Sequence, residues 1–128
     1  MLKKKHVLLI LVSLHFCIAF LSLASLSKLP KIKVEQGDKY GHFVLYFLLA
    51  VVWYLFLKSK SLKHFSAIVS SFILSVVFGF ILEVFQEVFT TNRMFEWADV
   101  MANTLGSLTA LVLMFFLKLR LNAKAEQQ

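Results

Sequence analysis

The sequence predicts an all-α integral membrane protein, a four-helix transmembrane bundle. Three observations predict it. The 128 residues are 59% hydrophobic and only 16% charged, and a mean hydropathy of +0.78 is too high for a soluble domain of this length. Four separate runs each approach the roughly 20 apolar residues that a helix needs to cross a bilayer core of about 30 Å. Lysines gather at the ends of those runs rather than along one surface. In lipid every backbone donor and acceptor must be satisfied within its own segment, so each run reads as a helix. The whole chain, residues 1–128, reads as a single domain.

The first span covers about Val7 to Leu26. Lys3, Lys4 and Lys5 precede it and the small residues Ala24 and Ser25 end it, which raises a cleaved signal peptide as the alternative. The run exceeds the roughly 7 to 15 residues usual for such a segment, and its cleavage pattern is poor. Cys17 lies inside this run, where it is expected to pack as a small hydrophobe. As a lone cysteine it serves neither a disulfide framework nor a zinc cluster. The second span covers about Tyr40 to Leu57, the third Phe65 to Phe89 and the fourth Asp99 to Leu117, followed by a solvated tail from Lys118.

Charge sets the expected orientation. Lys3, Lys4, Lys5, Lys58, Lys60, Lys63, Lys118, Arg120 and Lys124 fall on one side, and Lys28, Lys31, Lys33, Lys39 and Arg93 on the other. The positive-inside rule favours both termini in the cytoplasm of a bacterial cell, with the protein in its inner membrane. Trp53 and Tyr54 near one end of the second span, and Trp97 beside the fourth, suit an aromatic belt at each interface. The net charge of +7 resides in these flanking clusters, so no nucleic-acid partner is expected.

The polar residues inside the spans share one depth. Asp38, His42 and Tyr46 follow one another at four-residue spacing and lie on one face of the second helix. Glu83, Gln86 and Glu87 are expected to do the same near the outer end of the third, and Asp99, Asn103 and Gly106 on the fourth, with Arg93 in the intervening loop. Glu83 lies about 9 Å inside its helix end at about 1.5 Å per residue. An ionisable group at such depth costs about 2.5–3.5 kcal/mol on insertion scales and faces the bundle interior or a watered cavity. His42 and Asn103 are its expected companions. Asp38 and Asp99, each heading an apolar run, also fit helix caps. Gly41, Gly79 and Gly106 are expected to admit close helix approach.

Three blocks carry a family resemblance. They are Asp38-Lys39-Tyr40-Gly41-His42 leading to Tyr46, Glu83-Val84-Phe85-Gln86 with Arg93 after it, and Asp99-Val100-Met101-Ala102-Asn103-Thr104-Leu105-Gly106. In order and spacing the chain resembles the VanZ-like membrane proteins. The resemblance implies the fold and the polar cluster. It also implies a link to glycopeptide resistance, since the family's namesake is associated with low-level resistance to teicoplanin. It implies no reaction and no cofactor.

Three functional classes follow. In the first, an outer-leaflet pocket of Asp38, His42, Glu83, Gln86, Arg93, Asp99 and Asn103 binds a cell-envelope lipid or lipid-linked glycan precursor, Arg93 addressing a phosphate. In the second, a hydrolase or transferase uses Glu83 or Asp99 as general base with His42. A divalent metal on Asp38, His42, Glu83 and Asp99 is a variant of it, although the spacing matches no established metal motif. In the third, the protein is a structural or assembly subunit in which the polar residues only fix helix order. Ion transport is disfavoured because the inner halves of the spans read as apolar.

Overall fold

A computed structural model of the protein describes residues 4–23, 37–90 and 94–125. Four helices follow in order: α1 (Lys4–Leu23), α2 (Gly37–Ser59), α3 (His64–Phe89) and α4 (Trp97–Ala125). Each is long and apolar enough to cross a membrane. They form a bundle in which α2 packs against all three others, most extensively against α4, while α1 touches only α2 and α3 among the described residues.

The distribution of side chains departs from that of a soluble protein: apolar residues fill two core clusters but also cover the outside, and polar groups share the interior. Large apolar residues such as Phe16, Phe65, Val88 and Phe116 are exposed. The interior of α3 is a stripe of Ser71, Ser75, Gly79, Glu83 and Gln86, and that of α4 a stripe of Asp99, Asn103, Gly106, Ser107 and Ala110. Lipid tails are as apolar as leucine, so burial of large side chains does not drive association here. Small residues that let backbones approach, together with polar groups that need partners, take the contact faces instead.

Close approach is sharpest between α2 and α4, where a Cβ on Gly106 would collide with the Phe43 carbonyl. Ala50 and Ala110 are fully buried further along the α2 and α4 sides of the core. A Cβ on Gly79 would lie 2.8 Å from the Tyr46 ring, so the ring occupies the gap that this glycine leaves. Gly41 departs from the expectation of a close helix contact: among the described residues nothing lies within 4 Å of a Cβ built there. Its face of α2 borders an open groove.

Other expectations are corrected at this level. Cys17 is exposed on the outer face of α1 rather than packed. Trp53 packs inward: it is half-buried and meets the His15 ring edge-on at 5.5 Å. Tyr54 bonds to His64 Nδ1 at 3.0 Å. The fourth helix starts two residues earlier than expected, with the Glu96 carbonyl accepting the first helical bond from Val100 N–H. Asp99 therefore lies within the first turn instead of capping it. The helix also continues to Ala125 beyond the expected end of the span, because residues 118–125 are mostly good helix formers with no glycine or proline.

The α2–α3 connection closes by a hydrogen-bonded helix stop. Leu62 N–H donates to Leu57 O and Ser61 N–H to Lys58 O, which leaves Ser61 at φ 67°. A non-glycine residue in this region carries a cost of about 1–2 kcal/mol. Ser61→Gly is therefore expected to raise stability by about 1 kcal/mol, read as a higher denaturant midpoint in detergent micelles.

Candidate functional site

The start of α2, the end of α3 and the start of α4 bring their polar residues to the same end of the bundle. His42 is one turn into α2 and half-buried. Its Nδ1 lies 2.9 Å from Asn103 Oδ1 on α4 and 3.8 Å from Glu83 Oε1 on α3. Its Nε2 lies 3.7 Å from Asp99 Oδ2. Glu83 and Asn103 are each 1% exposed and Asp99 7%, so three helices enclose the centre with side chains largely removed from solvent. Of the companions expected for Glu83 from depth, His42 stands beside it and Asn103 bonds to the same imidazole.

Donor and acceptor chemistry assigns the role of one imidazole nitrogen. The carbonyl oxygen of Asn103 can only accept, so Nδ1 carries the proton and donates it. In the neutral ring Nε2 is then a lone pair, and it faces a carboxylate oxygen. Tyr46, one turn further along α2, is buried and lies parallel to the His42 ring with centroids 6.4 Å apart.

Beside this centre stands a residue that sequence spacing had assigned only to loop charge. Lys39 Nζ contacts Asp99 Oδ1 at 2.7 Å, Asp38 Oδ2 at 2.8 Å and Glu96 Oε2 at 2.6 Å. Asp99 thus presents one oxygen to Lys39 and the other to His42. Among the described residues, three carboxylates around one ammonium leave an excess of two negative charges before Glu83 is counted. Lys39 and Glu96 both belong to the site. The signal for Lys39 was its place three residues before His42, a spacing that puts both on adjoining faces of a helix. Glu96 had no such signal, being in the short connection ahead of α4.

The other expected residues divide. Asp38 lies at the exposed rim, its carboxylate bonded to Lys39. Its Oδ1 accepts from the next N–H rather than from the second or third, so it is not a helix cap. Gln86 is buried but turns away from His42, donating from Nε2 to the Ser22 carbonyl on α1 at 3.0 Å. It secures α1 to α3. Glu87 is exposed although it follows Glu83 by four residues on the same side of α3, because it lies a turn nearer the helix end at Phe89. Arg93 lies outside the described residues. The half of the bundle away from the site is less apolar than expected, with Ser71 and Ser75 of α3 fully buried, as is Ser107 on the site side of α4. Ser71 and Ser107 donate to carbonyls of their own helices, which satisfies them locally.

A groove of about 270 Å³ opens between α1 and α2 and reaches His42. Ile18, Leu21 and Leu45 give it apolar walls, Gly41 leaves it open, and Asp38, His42 and Tyr46 supply its polar part.

Fold and site together define a multi-pass membrane protein with a buried polar centre near one end of a four-helix bundle. The profile of the VanZ/LLP1 family matches residues 2–118, and the chain belongs to that family. It is 34% identical over 110 residues to the uncharacterized protein C11E3.10 of Schizosaccharomyces pombe, an alignment covering 86% of this chain and 63% of the relative. The chain thus spans less than two thirds of that relative's length. No solved structure matches it.

Proposed function

We propose that the protein binds a cell-envelope lipid or a lipid-linked precursor, with the apolar chain in the α1–α2 groove and the polar head at the His42 end. The observation that carries this reading is the groove itself. It joins an apolar wall of Ile18, Leu21 and Leu45 to the polar side chains of Asp38, His42 and Tyr46 in a volume of about 270 Å³. An amphiphile has this same division, and small-molecule sites pair mostly apolar lining with a few placed polar groups. The negative excess around Lys39 favours an ammonium head group, or a phosphate approached through a cation. Lys58, Lys60, Lys63, Lys118, Arg120 and Lys124 lie toward the opposite end of the bundle, which supports a cytoplasmic location for that end and an outer-leaflet location for the site in a bacterial inner membrane. Glycopeptide resistance is the cellular extension of this reading.

Gly41 offers a direct test, because it lines the groove and a side chain there meets no neighbour among the described residues. Gly41→Phe is expected to lower the lipid that co-purifies with the protein by about tenfold, equivalent to about 1.4 kcal/mol. Mass spectrometry of the extracted lipid gives the readout. Val44→Phe, on the exposed face of the same helix, is expected to leave it unchanged. Equal lipid in the wild-type and Gly41→Phe proteins would count against the reading.

A hydrolase or transferase is the second reading, favoured by the position of His42 between Glu83 and Asp99. An imidazole between two carboxylates is a common acid–base arrangement. Turnover of envelope lipids by the purified protein, abolished in His42→Gln, is its expected signature.

A further inference from the structure

The gap between His42 and Asp99 has an unusual width. Nε2 and Oδ2 are 3.7 Å apart, too far for a direct hydrogen bond, which closes to about 2.7–3.2 Å. The same gap is too narrow for a bridging water, whose two bonds of about 2.8 Å at a tetrahedral angle separate their partners by about 4.5 Å. Two donors held at about 2.1 Å from one dication lie about 3.0–3.4 Å apart in octahedral or tetrahedral geometry. A shift of about 0.3 Å brings Nε2 and Oδ2 to the upper end of that spacing, against about 0.5 Å for a direct hydrogen bond.

Three further features fit an ion. Glu83 is the third donor, since one ligand atom from each of His42, Glu83 and Asp99 lies within 4.8 Å of the others; its Oε1 stands 3.8 Å from Nδ1, and a rotation of the side chain carries it toward an ion on Nε2. The Asn103 carbonyl holds the Nδ1 proton, which leaves Nε2 as the free ligand atom. Ligand histidines are oriented in this way by a carbonyl or carboxylate on their other nitrogen. Glu83 is itself buried, 1% exposed, so its carboxylate has almost no solvent to offset a negative charge. The neighbouring acidic group of Asp38, Glu96 and Asp99 differs, because the Lys39 ammonium already occupies it.

We propose that His42, Glu83 and Asp99 form a binding site for one divalent transition-metal ion, with Asn103 positioning the imidazole. One nitrogen and two carboxylate donors suit zinc or manganese better than calcium, which takes oxygen ligands throughout. Three protein ligands leave coordination positions open toward the groove, where a phosphate or carbonyl oxygen of a ligand would complete the shell.

The test uses the full chain in detergent and Zn²⁺ alone, with no lipid added, so its outcome is separate from that of lipid binding. Calorimetric titration of chelator-treated protein is expected to show one Zn²⁺ per chain. Affinity is expected to fall about a hundredfold or more in His42→Gln and in Glu83→Gln, since even residues that only orient a ligand are worth about 10–100-fold. Glu87→Gln, an exposed carboxylate one turn from Glu83, is expected to bind as the wild type does. Glu83→Gln preserves side-chain shape, and monodisperse elution with an unchanged melting transition establishes its fold. Absence of stoichiometric binding to the wild-type chain overturns the proposal, as does equal affinity in the two ligand variants.

Discussion

Gly106→Ala is expected to destabilise the protein by about 2–3 kcal/mol, whereas Gly41→Ala is expected to stabilise it by about 0.5–1 kcal/mol. The substitution is the same and so is its intrinsic effect, because alanine is favoured over glycine in a helix by about 1 kcal/mol. Surroundings decide the sign. At Gly41 a Cβ enters open space, so the helical gain is retained. At Gly106 the new methyl overlaps the carbonyl group of Phe43, which is backbone and cannot rotate aside. The helices must then part, and overpacking of this kind costs about 1–3 kcal/mol or occasionally more. Parting α2 from α4 also draws His42 away from Asn103, one turn from Gly106. Loss of stability and loss of the site are therefore expected together. Unfolding in mixed micelles measures the first, and Zn²⁺ titration of the still-folded protein measures the second. Equal stability of Gly106→Ala and the wild type would show that α2 and α4 do not approach this closely.

Lys39→Met is expected to cost about 2–3 kcal/mol. Its ammonium holds Asp38, Glu96 and Asp99, but the contributions differ. Side-chain exposures of 56% and 54% at Asp38 and Glu96 leave those pairs screened by water, and such pairs contribute about 0–1 kcal/mol each. The Asp99 side chain is 10% exposed, and removing its partner strands a carboxylate with little solvent to take over. Breaking a buried pair in this way costs about 3–5 kcal/mol, reduced here because Lys39 retains 24% exposure. A double-mutant cycle with Asp99→Asn isolates the pair. The Lys39→Met loss should shrink by about 1.5–3 kcal/mol in the Asp99→Asn background, the usual worth of a hydrogen bond to a charged group. Additive losses would mean that Lys39 acts through its exposed partners instead.

The different fates of the polar residues show how far a linear sequence reaches. Depth was legible: about 1.5 Å of rise per residue places His42, Glu83, Asp99 and Asn103 at one level once the spans are set, and the structure joins them there. Azimuth was legible only within each helix. Glu83 and Gln86 are both buried on α3, yet one meets α2 and α4 while the other meets α1. Spacing alone cannot show which neighbour a face will meet. Lys39 illustrates a second limit. A flexible chain of four methylenes can end in solvent or among carboxylates, and only the arrival of α4 beside α2 supplied those carboxylates.

The sequence by itself determined four membrane-spanning helices and the level at which their polar groups lie, because a bilayer permits few backbone solutions and a helix has a fixed rise. Tertiary structure alone decided that Gly106 is a contact point while Gly41 borders a groove, that Lys39 gathers three carboxylates, and that His42 meets Asn103 through one nitrogen and faces Asp99 with the other. Those outcomes depend on the rotation of each helix relative to its neighbours. That rotation is set by the joint packing of all four faces, which no single stretch of sequence contains.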